Sequence, residues 1–466
     1  MTRQISILLL TLSLLWTGTE AQAQMPTAPQ ALSGTGVGFQ KAAIQTGLGW
    51  TQYEEDHFLA LNLGTVLDFG PLKLGLHVPL AIRVIDNGEE DAARIRSEDW
   101  DEVSEWFRVI RFIEYGDRYT GPFYIRYGEL VAASLGHGTI VDAYYNNVDT
   151  DHYQGGIQTR FDVGGYGGEI LIDNLVSPEI FGLRGFIRPL RDEDNEVEMS
   201  DKLGFGVSFV VDRLAPYQIQ TRSDDPNATL IALDDSGVPK ADTEFTGILG
   251  VDAELPLVHT ESVQVVPYAD INYHLSHGMG FHIGLRNIWV PTEALKMSFR
   301  AEYQLLGPGY LPSYISPLYE VERFLYPHER GTTKLAWLDA PDVDETAHGW
   351  VLDLGASIFD AIQIRGRYQG SGRFSDDSVW VQASLPYLGS IQASATYLKT
   401  DASGLSDVFD LDGAMLIAQA RYKLMGPLAL QAMFIREWHV VDDADKGEMY
   451  ETINNWQAGV VAEFSY

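Results

Sequence analysis

Apolar and polar residues alternate along most of the chain. In Leu72-Lys-Leu-Gly-Leu-His-Val-Pro-Leu-Ala-Ile-Arg83 every even position is apolar, and the odd positions are small, polar or charged. The same period of two runs through 203–211, 295–303, 361–369, 391–397 and 416–424. A period of two places successive side chains on opposite faces of a strand. Segments centred near 48, 62, 78, 110, 125, 158, 171, 184, 208, 250, 268, 284, 300, 353, 365, 382, 395, 419, 433 and 461 read as strand candidates. Several between 105 and 190 are short or irregular, and one pair there could be a hairpin folded inward. The expected total is therefore about 18 strands, within 16–20.

The connections separate a membrane barrel from a soluble sandwich. Tight ones stand at Phe69-Gly70-Pro71, Pro291–Ala294, Phe359-Asp360, Leu388–Ser390 and Met425–Pro427. Long ones lie between them, at 307–346, 400–412 and 440–454. Short turns at one rim and long loops at the other are the pattern of an up-and-down transmembrane barrel. Tyr and Trp gather near strand ends, at Tyr268, Tyr273, Trp289, Tyr303, Trp350, Tyr368, Tyr387, Tyr397, Tyr422 and Trp438. Amphipathic rings at those heights suit the two membrane–water interfaces.

Charge sharpens this picture. The 466 residues carry a formal net charge of −33. Most of it sits in six connections, 86–105, 191–201, 223–244, 337–345, 401–412 and 442–451. One face of many strands is left without charge, as hydrocarbon requires. The acidity argues against a nucleic-acid partner, which needs a basic footprint. Cysteine is absent, so disulfides, thiolate metal sites and cysteine catalysis are excluded.

The first residues read as a secretory signal. Arg3 precedes an apolar run over 5–16, followed by the small-residue pattern Ala21-Gln22-Ala23. The expected organisation is a signal peptide over 1–23, a short lead-in over 24–42 and a barrel over 43–466.

The last strand, Trp456-Gln-Ala-Gly-Val-Val-Ala-Glu-Phe-Ser-Tyr466, alternates and ends on an aromatic, with a second aromatic two residues earlier. It resembles the C-terminal signal of Gram-negative outer-membrane β-barrels, porin-like proteins among them. The resemblance implies an all-β, antiparallel barrel in the outer membrane, exported by the secretory pathway. It also implies that Phe464 and Tyr466 are read by the barrel-assembly machinery. Lipid and lipopolysaccharide are then the surrounding partners, and a homo-oligomer is allowed.

With the apolar face outward, the inward positions carry polar side chains. Those expected to line a pore are Arg286, Arg300, Glu302, Asp353, Arg365, Arg367, Arg421 and Lys423. A ladder of Arg on a wall attracts anions, whereas cross-strand pairing with carboxylates would merely solvate the wall. Two segments stand out as candidates to enter the lumen, the apolar but poorly alternating 129–152 and the long 307–346. His137, His152 and Asp142 match no metal-ligand spacing, Asp442–Gly447 lacks the ligand order of a calcium loop, and no GxSxG is present. The expectation is a passive channel for small polar or ionic solutes, with no enzymatic activity, cofactor or metal. The alternative is a non-conducting barrel whose acidic loops bind a partner. A transporter for apolar substrates would need an N-terminal hatch, which 24–42 is too short and polar to form.

Overall fold

The computed structural model describes residues 43–465, except 54–55, 87–93, 97–99, 101–105, 119–120, 149–152, 191–201, 223–229, 235–237, 261, 293, 327–331, 360–361, 372, 374–376, 403, 405, 412 and 441–449. The signal and lead-in segments, His152, the Asp442–Gly447 loop and Tyr466 therefore lie outside the described residues.

Twenty antiparallel strands form one closed sheet. In chain order they are β1 (Ala43–Tyr53), β2 (Asp56–Phe69), β3 (Leu72–Ile85), β4 (Ile110–Tyr115), β5 (Phe123–Gly128), β6 (Gly156–Val163) and β7 (Tyr166–Ile172). Then come β8 (Ile180–Ile187), β9 (Gly204–Ile219), β10 (Ala241–Glu254), β11 (Val263–His274), β12 (Met279–Thr292), β13 (Leu295–Leu306) and β14 (Ala347–Ile358). The last six are β15 (Ile362–Gly370), β16 (Asp377–Leu388), β17 (Ile391–Ala402), β18 (Ala414–Met425), β19 (Leu428–Val440) and β20 (Tyr450–Ser465). Each strand pairs with its sequence neighbour, and β20 returns to β1, setting Phe464 opposite Ile44 and Val460 opposite Leu48. Closure leaves no unpaired edge, which a bilayer would not tolerate.

Each strand contains one of the sequence-derived centres. The count of about 18 was low because β4 to β8 are only six to eight residues long. Six residues rise about 20 Å, too little for a full alternating signature, yet all five belong to the wall.

The outward face is apolar. Leu48, Leu63, Val207, Val251, Ile271, Ile283, Ile364 and Val460 are among its exposed side chains. Aromatics flank this band. Tyr273, Tyr303 and Trp350 are exposed toward the long-loop rim, and Trp289 and Tyr422 toward the short-turn rim. Trp350 packs on Tyr368 at a ring separation of 4.7 Å. Tyr268 departs from the expected belt. It is 3 % exposed and points into the lumen, because its position has the parity of the polar residues Asp270 and Asn272 on β11.

The tight connections named from the sequence fall at one rim, while β1–β2 and β11–β12 are joined by short links at the other. At Phe69-Gly70-Pro71 the Asp68 side chain accepts the Gly70 N–H at 2.8 Å, and Gly70 takes a positive φ of 80°. Only glycine adopts that backbone at no steric cost.

The interior is filled. Residues 129–148, between β5 and β6, and the described residues of 307–346, between β13 and β14, both turn into the barrel from the long-loop rim. The first folds back on itself, with Ala133 and Tyr144 exchanging two backbone hydrogen bonds of 2.8 Å. The second carries two single-turn helices, α1 (Tyr319–Glu322) and α2 (Lys334–Trp337). The Thr333 hydroxyl caps α2 by accepting the Ala336 N–H at 3.2 Å. The inserts join through their backbones. Ser313 donates to the Thr139 carbonyl (2.9 Å), Ile315 to Ile140 (3.1 Å) and Asp142 to Ile315 (3.0 Å).

Two apolar cores hold this plug. In one, Leu135, Ile140, Tyr144, Leu311, Tyr314 and Trp337 pack against wall residues Leu171, Ile180, Val210 and Ile248. In the other, Tyr145, Val148, Leu318 and Val321 pack against Trp380, Leu398, Ile417 and Met433. The plug therefore bridges β7–β10 and β16–β19, two separate arcs of the wall.

Candidate functional site

The site is the polar zone where the plug meets the inward wall. It is built by strand register. On β10, β11, β12 and β13 the residues Asp252, Asp270, His282 and Gln304 form one inward rung. Four residues along, Arg286 faces Arg300, and Arg300 faces Asp353. Like charges side by side repel, so each needs a counter-charge.

The wall and the plug supply them. Arg286 donates to Glu254 at 3.1 Å and lies over the Tyr268 ring. Arg300 donates to Glu302 (2.7 Å), to the Tyr268 hydroxyl (2.9 Å) and to Asp142 of the plug (2.9 Å). Arg367 pairs with the same Asp142 at 2.6 Å and donates to Gln369 at 3.0 Å. Arg365 grips Asp353 with two hydrogen bonds. Arg421 donates to Gln431 at 2.8 Å and approaches Glu463 at 3.5 Å. Lys423 is exposed near the short-turn rim. The register thus brings together Arg286, Arg300, Glu302, Asp353, Arg365 and Arg367, and it leaves Arg421 and Lys423 on a separate arc.

Asp142 joins plug to wall. Burial alone would raise its pKa, but Arg367 and then Arg300 outweigh burial and hold the carboxyl below its usual range. Alternation could not find this residue, because its partners are brought to it by folding from 158 positions away and more.

A triad centres on His282 of that rung. Tyr310 of the plug places its hydroxyl 2.9 Å from His282 Nε2, and His282 Nδ1 lies 2.9 Å from Glu302. Tyr268 donates to the other Glu302 oxygen at 2.5 Å. These groups satisfy one another and are almost wholly buried.

His137 lies at the tip of the first insert. Gly136 and Gly138, on either side, have φ of 58° and 81°. This pair of left-handed residues turns the imidazole toward the wall, where it stacks on Tyr268 with ring centroids 4.4 Å apart. Burial lowers its pKa to about 4, and the Arg286 charge adds to the effect. The ring is neutral at physiological pH. Beneath it, Arg118, Arg160, Arg184 and Arg188 line a cavity with Glu169 and Glu254. Arg184 binds Asp252 through two hydrogen bonds (2.9 and 2.7 Å) and Glu169 through a third (3.1 Å). In the sequence His137 was considered together with His152 and Asp142, which match no metal-ligand spacing. The fold instead brings Asp252 and Asp270 beside it and commits Asp142 to Arg300 and Arg367.

On the loop side, Asp173 and Glu320 approach each other near α1. Burial, then the Glu320 charge, raises Asp173 to about 8. Glu320 is also raised by burial and accepts the Tyr144 hydroxyl at 2.5 Å. Within the second insert, Lys334 pairs with Glu322 amid the rings of Tyr314, Tyr319 and Tyr326.

No protein-family model matches the chain, and no curated protein matches it. Among solved structures it is similar to PfeA, a ferric enterobactin receptor of Pseudomonas aeruginosa, with 9 % identity, a TM-score of 0.36, and coverage of 91 % of this chain and 81 % of that one. It is similar to Wzi of Escherichia coli, described as a carbohydrate-binding barrel involved in group 1 capsule assembly, with 9 % identity, a TM-score of 0.35, and coverage of 91 % and 85 %. It is also similar to the outer-membrane protein OpdK of Pseudomonas aeruginosa, with 9 % identity, a TM-score of 0.31, and coverage of 91 % and 98 %. The closed sheet, the apolar outer band and the paired polar interior make this chain an outer-membrane-type β-barrel with a plugged lumen.

Proposed function

We propose that this protein is a non-enzymatic, constricted channel of the Gram-negative outer membrane that passes small polar or ionic solutes. The observation that carries the reading is the plug. Two inserts share backbone hydrogen bonds, pack on separate arcs of the wall, and leave a zone of paired charges between themselves and the remaining strands. A lumen of twenty strands would otherwise be a wide aqueous pore. Here the path is narrowed by side chains that can re-pair around a charged or hydrogen-bonding solute. Arg286, Arg300, Glu302, Asp353, Arg365, Arg367, Arg421 and Lys423 are the proposed lining. Most of these charges share a partner, so ion selectivity is weak. Phe464 and Tyr466 serve assembly, and lipid and lipopolysaccharide surround the apolar band.

The test is single-channel recording of the purified barrel in a planar bilayer, with the 307–346 segment intact and deleted. The expected result is a conductance well below that of an open porin of similar strand number, rising when the segment is removed. Absence of current and of solute flux into vesicles for both forms would overturn the channel reading. That outcome would favour the non-conducting binding barrel.

A further inference from the structure

We propose that His137, Asp252 and Asp270 bind one first-row divalent transition ion, with Zn²⁺ as the probe that fits the donor set. The three residues come from the plug and from adjacent strands β10 and β11. Each can offer one donor atom such that all lie within 4.8 Å of one another. Nothing in the solute-channel reading requires such a site.

The first observation is the register. Asp252 and Asp270 are direct cross-strand partners on the inward face. Two carboxylates placed opposite each other repel, more so when buried. They are 6 % and 3 % exposed. Arg184 neutralises Asp252. Asp270 takes only the Thr139 hydroxyl, at 2.9 Å on Oδ2, and its Oδ1 is buried with no hydrogen-bond partner. The opposing side chain on β12, His282, is already held between Glu302 and Tyr310.

The second observation is independent of the carboxylates. His137 is 4 % exposed, and neither of its ring nitrogens has a hydrogen-bond partner. A buried imidazole with both nitrogens unsatisfied is costly. Its Nε2 stands 3.5 Å from Asp252 Oδ1, longer than an ordinary hydrogen bond and close to the separation of two donors on one ion.

The chemistry of the donors selects the ion. Imidazole nitrogen with carboxylate oxygen suits zinc and its neighbours, whereas calcium and magnesium prefer oxygen alone. Donors bonded about 2.1 Å from a tetrahedral ion lie roughly 3.4 Å apart, so donor atoms that all stand within 4.8 Å of one another must close by at most roughly 1.4 Å. Arg184 uses one lone pair on each Asp252 oxygen, and a second remains on each for the ion. Gly206 opposes Asp252 across β9 and β10, and a β-carbon there would stand 2.2 Å from Asp252 Oδ2. The absent side chain leaves the carboxylate room to turn.

The experiment titrates Zn²⁺ into the chelator-stripped, detergent-solubilised full-length barrel and reads bound metal by calorimetry and elemental analysis. Visible absorption of added Co²⁺ reports nitrogen–oxygen coordination. H137Q and D270N are the variants, with heat-modifiable gel mobility as the check on folding. One Zn²⁺ per chain is expected, with affinity falling about tenfold or more in each variant and no comparable competition from Ca²⁺. Should H137Q not fold, D270N and the Co²⁺ spectrum still decide. No Zn²⁺ binding by the wild type overturns the proposal. Equal binding by wild type and both variants also overturns it, and places the metal on the acidic loops. None of these readouts depends on whether the barrel conducts.

Discussion

Replacing Asp142 by Asn should loosen the plug from its wall and give the lumen an anion preference. The wild-type carboxylate holds Arg300 at 2.9 Å and Arg367 at 2.6 Å, and it also accepts the Ser134 hydroxyl at 3.3 Å. All three charged side chains are nearly buried, with side-chain exposures of 9 %, 12 % and 8 %, so solvent screens them little. Breaking one partner of a buried pair costs about 3–5 kcal/mol when the other charge is stranded. Here Arg300 keeps Glu302 and Tyr268, and Arg367 keeps Gln369, which places the cost near the lower end, at about 3 kcal/mol. At about 1.4 kcal/mol per decade, the population of the detached plug rises about a hundredfold. The two apolar cores still resist full release. The expected record is therefore frequent brief openings rather than a permanently open pore. The two guanidinium charges no longer balanced by Asp142 should move the reversal potential in a salt gradient toward anions. Neutralising them in D142N/R300Q/R367Q should move it back. The assay is single-channel recording, with proteolysis of the inserts as a second readout. Unchanged gating, selectivity and protease resistance in D142N would refute the idea that Asp142 fastens the plug.

Three further outcomes are expected. Phe464 is an exposed outward residue next to the closing seam, so F464D places a charge against lipid at about 2–4 kcal/mol near the midplane and less toward the interface; normal yields of heat-modifiable barrel would contradict this placement. Asp173 is raised to about 8 in the folded state, so the native protein binds the extra proton between about pH 4 and pH 8, and this contribution to stability is lost as pH rises through that window; urea midpoints in lipid vesicles should fall across it for the wild type, and D173N should flatten the slope. Lys334 and Glu322 are a buried pair, so E322Q alone should destabilise the plug by about 3 kcal/mol while the double change E322L/K334M stays near neutral, as read by hydrogen exchange over 307–346.

Period-two alternation was enough to locate the wall, because one face of each strand must satisfy hydrocarbon and the other must not. Every strand centre was visible in that pattern, and so was the inward direction of Arg286, Arg300, Glu302, Asp353, Arg365 and Arg367. The rule is local, and it needs no knowledge of what lies across the barrel. The total was harder to read, since β4 to β8 are short and lose their signature where the chain turns inward. The unusual composition of 129–152 and the length of 307–346 marked both as departures from an ordinary loop. Their destination depended on one another, because each buries apolar surface against the other and against two arcs of wall formed from distant strands. Partner choice was likewise a tertiary decision. Asp142 meets Arg367, and His137 meets Asp270, only after twenty strands have closed and fixed the register to the residue. A shift of one residue would turn the wall residues Arg367 and Asp270 toward lipid. The sequence alone determined which residues face inward, and only the closed barrel with its plug decided which of them touch.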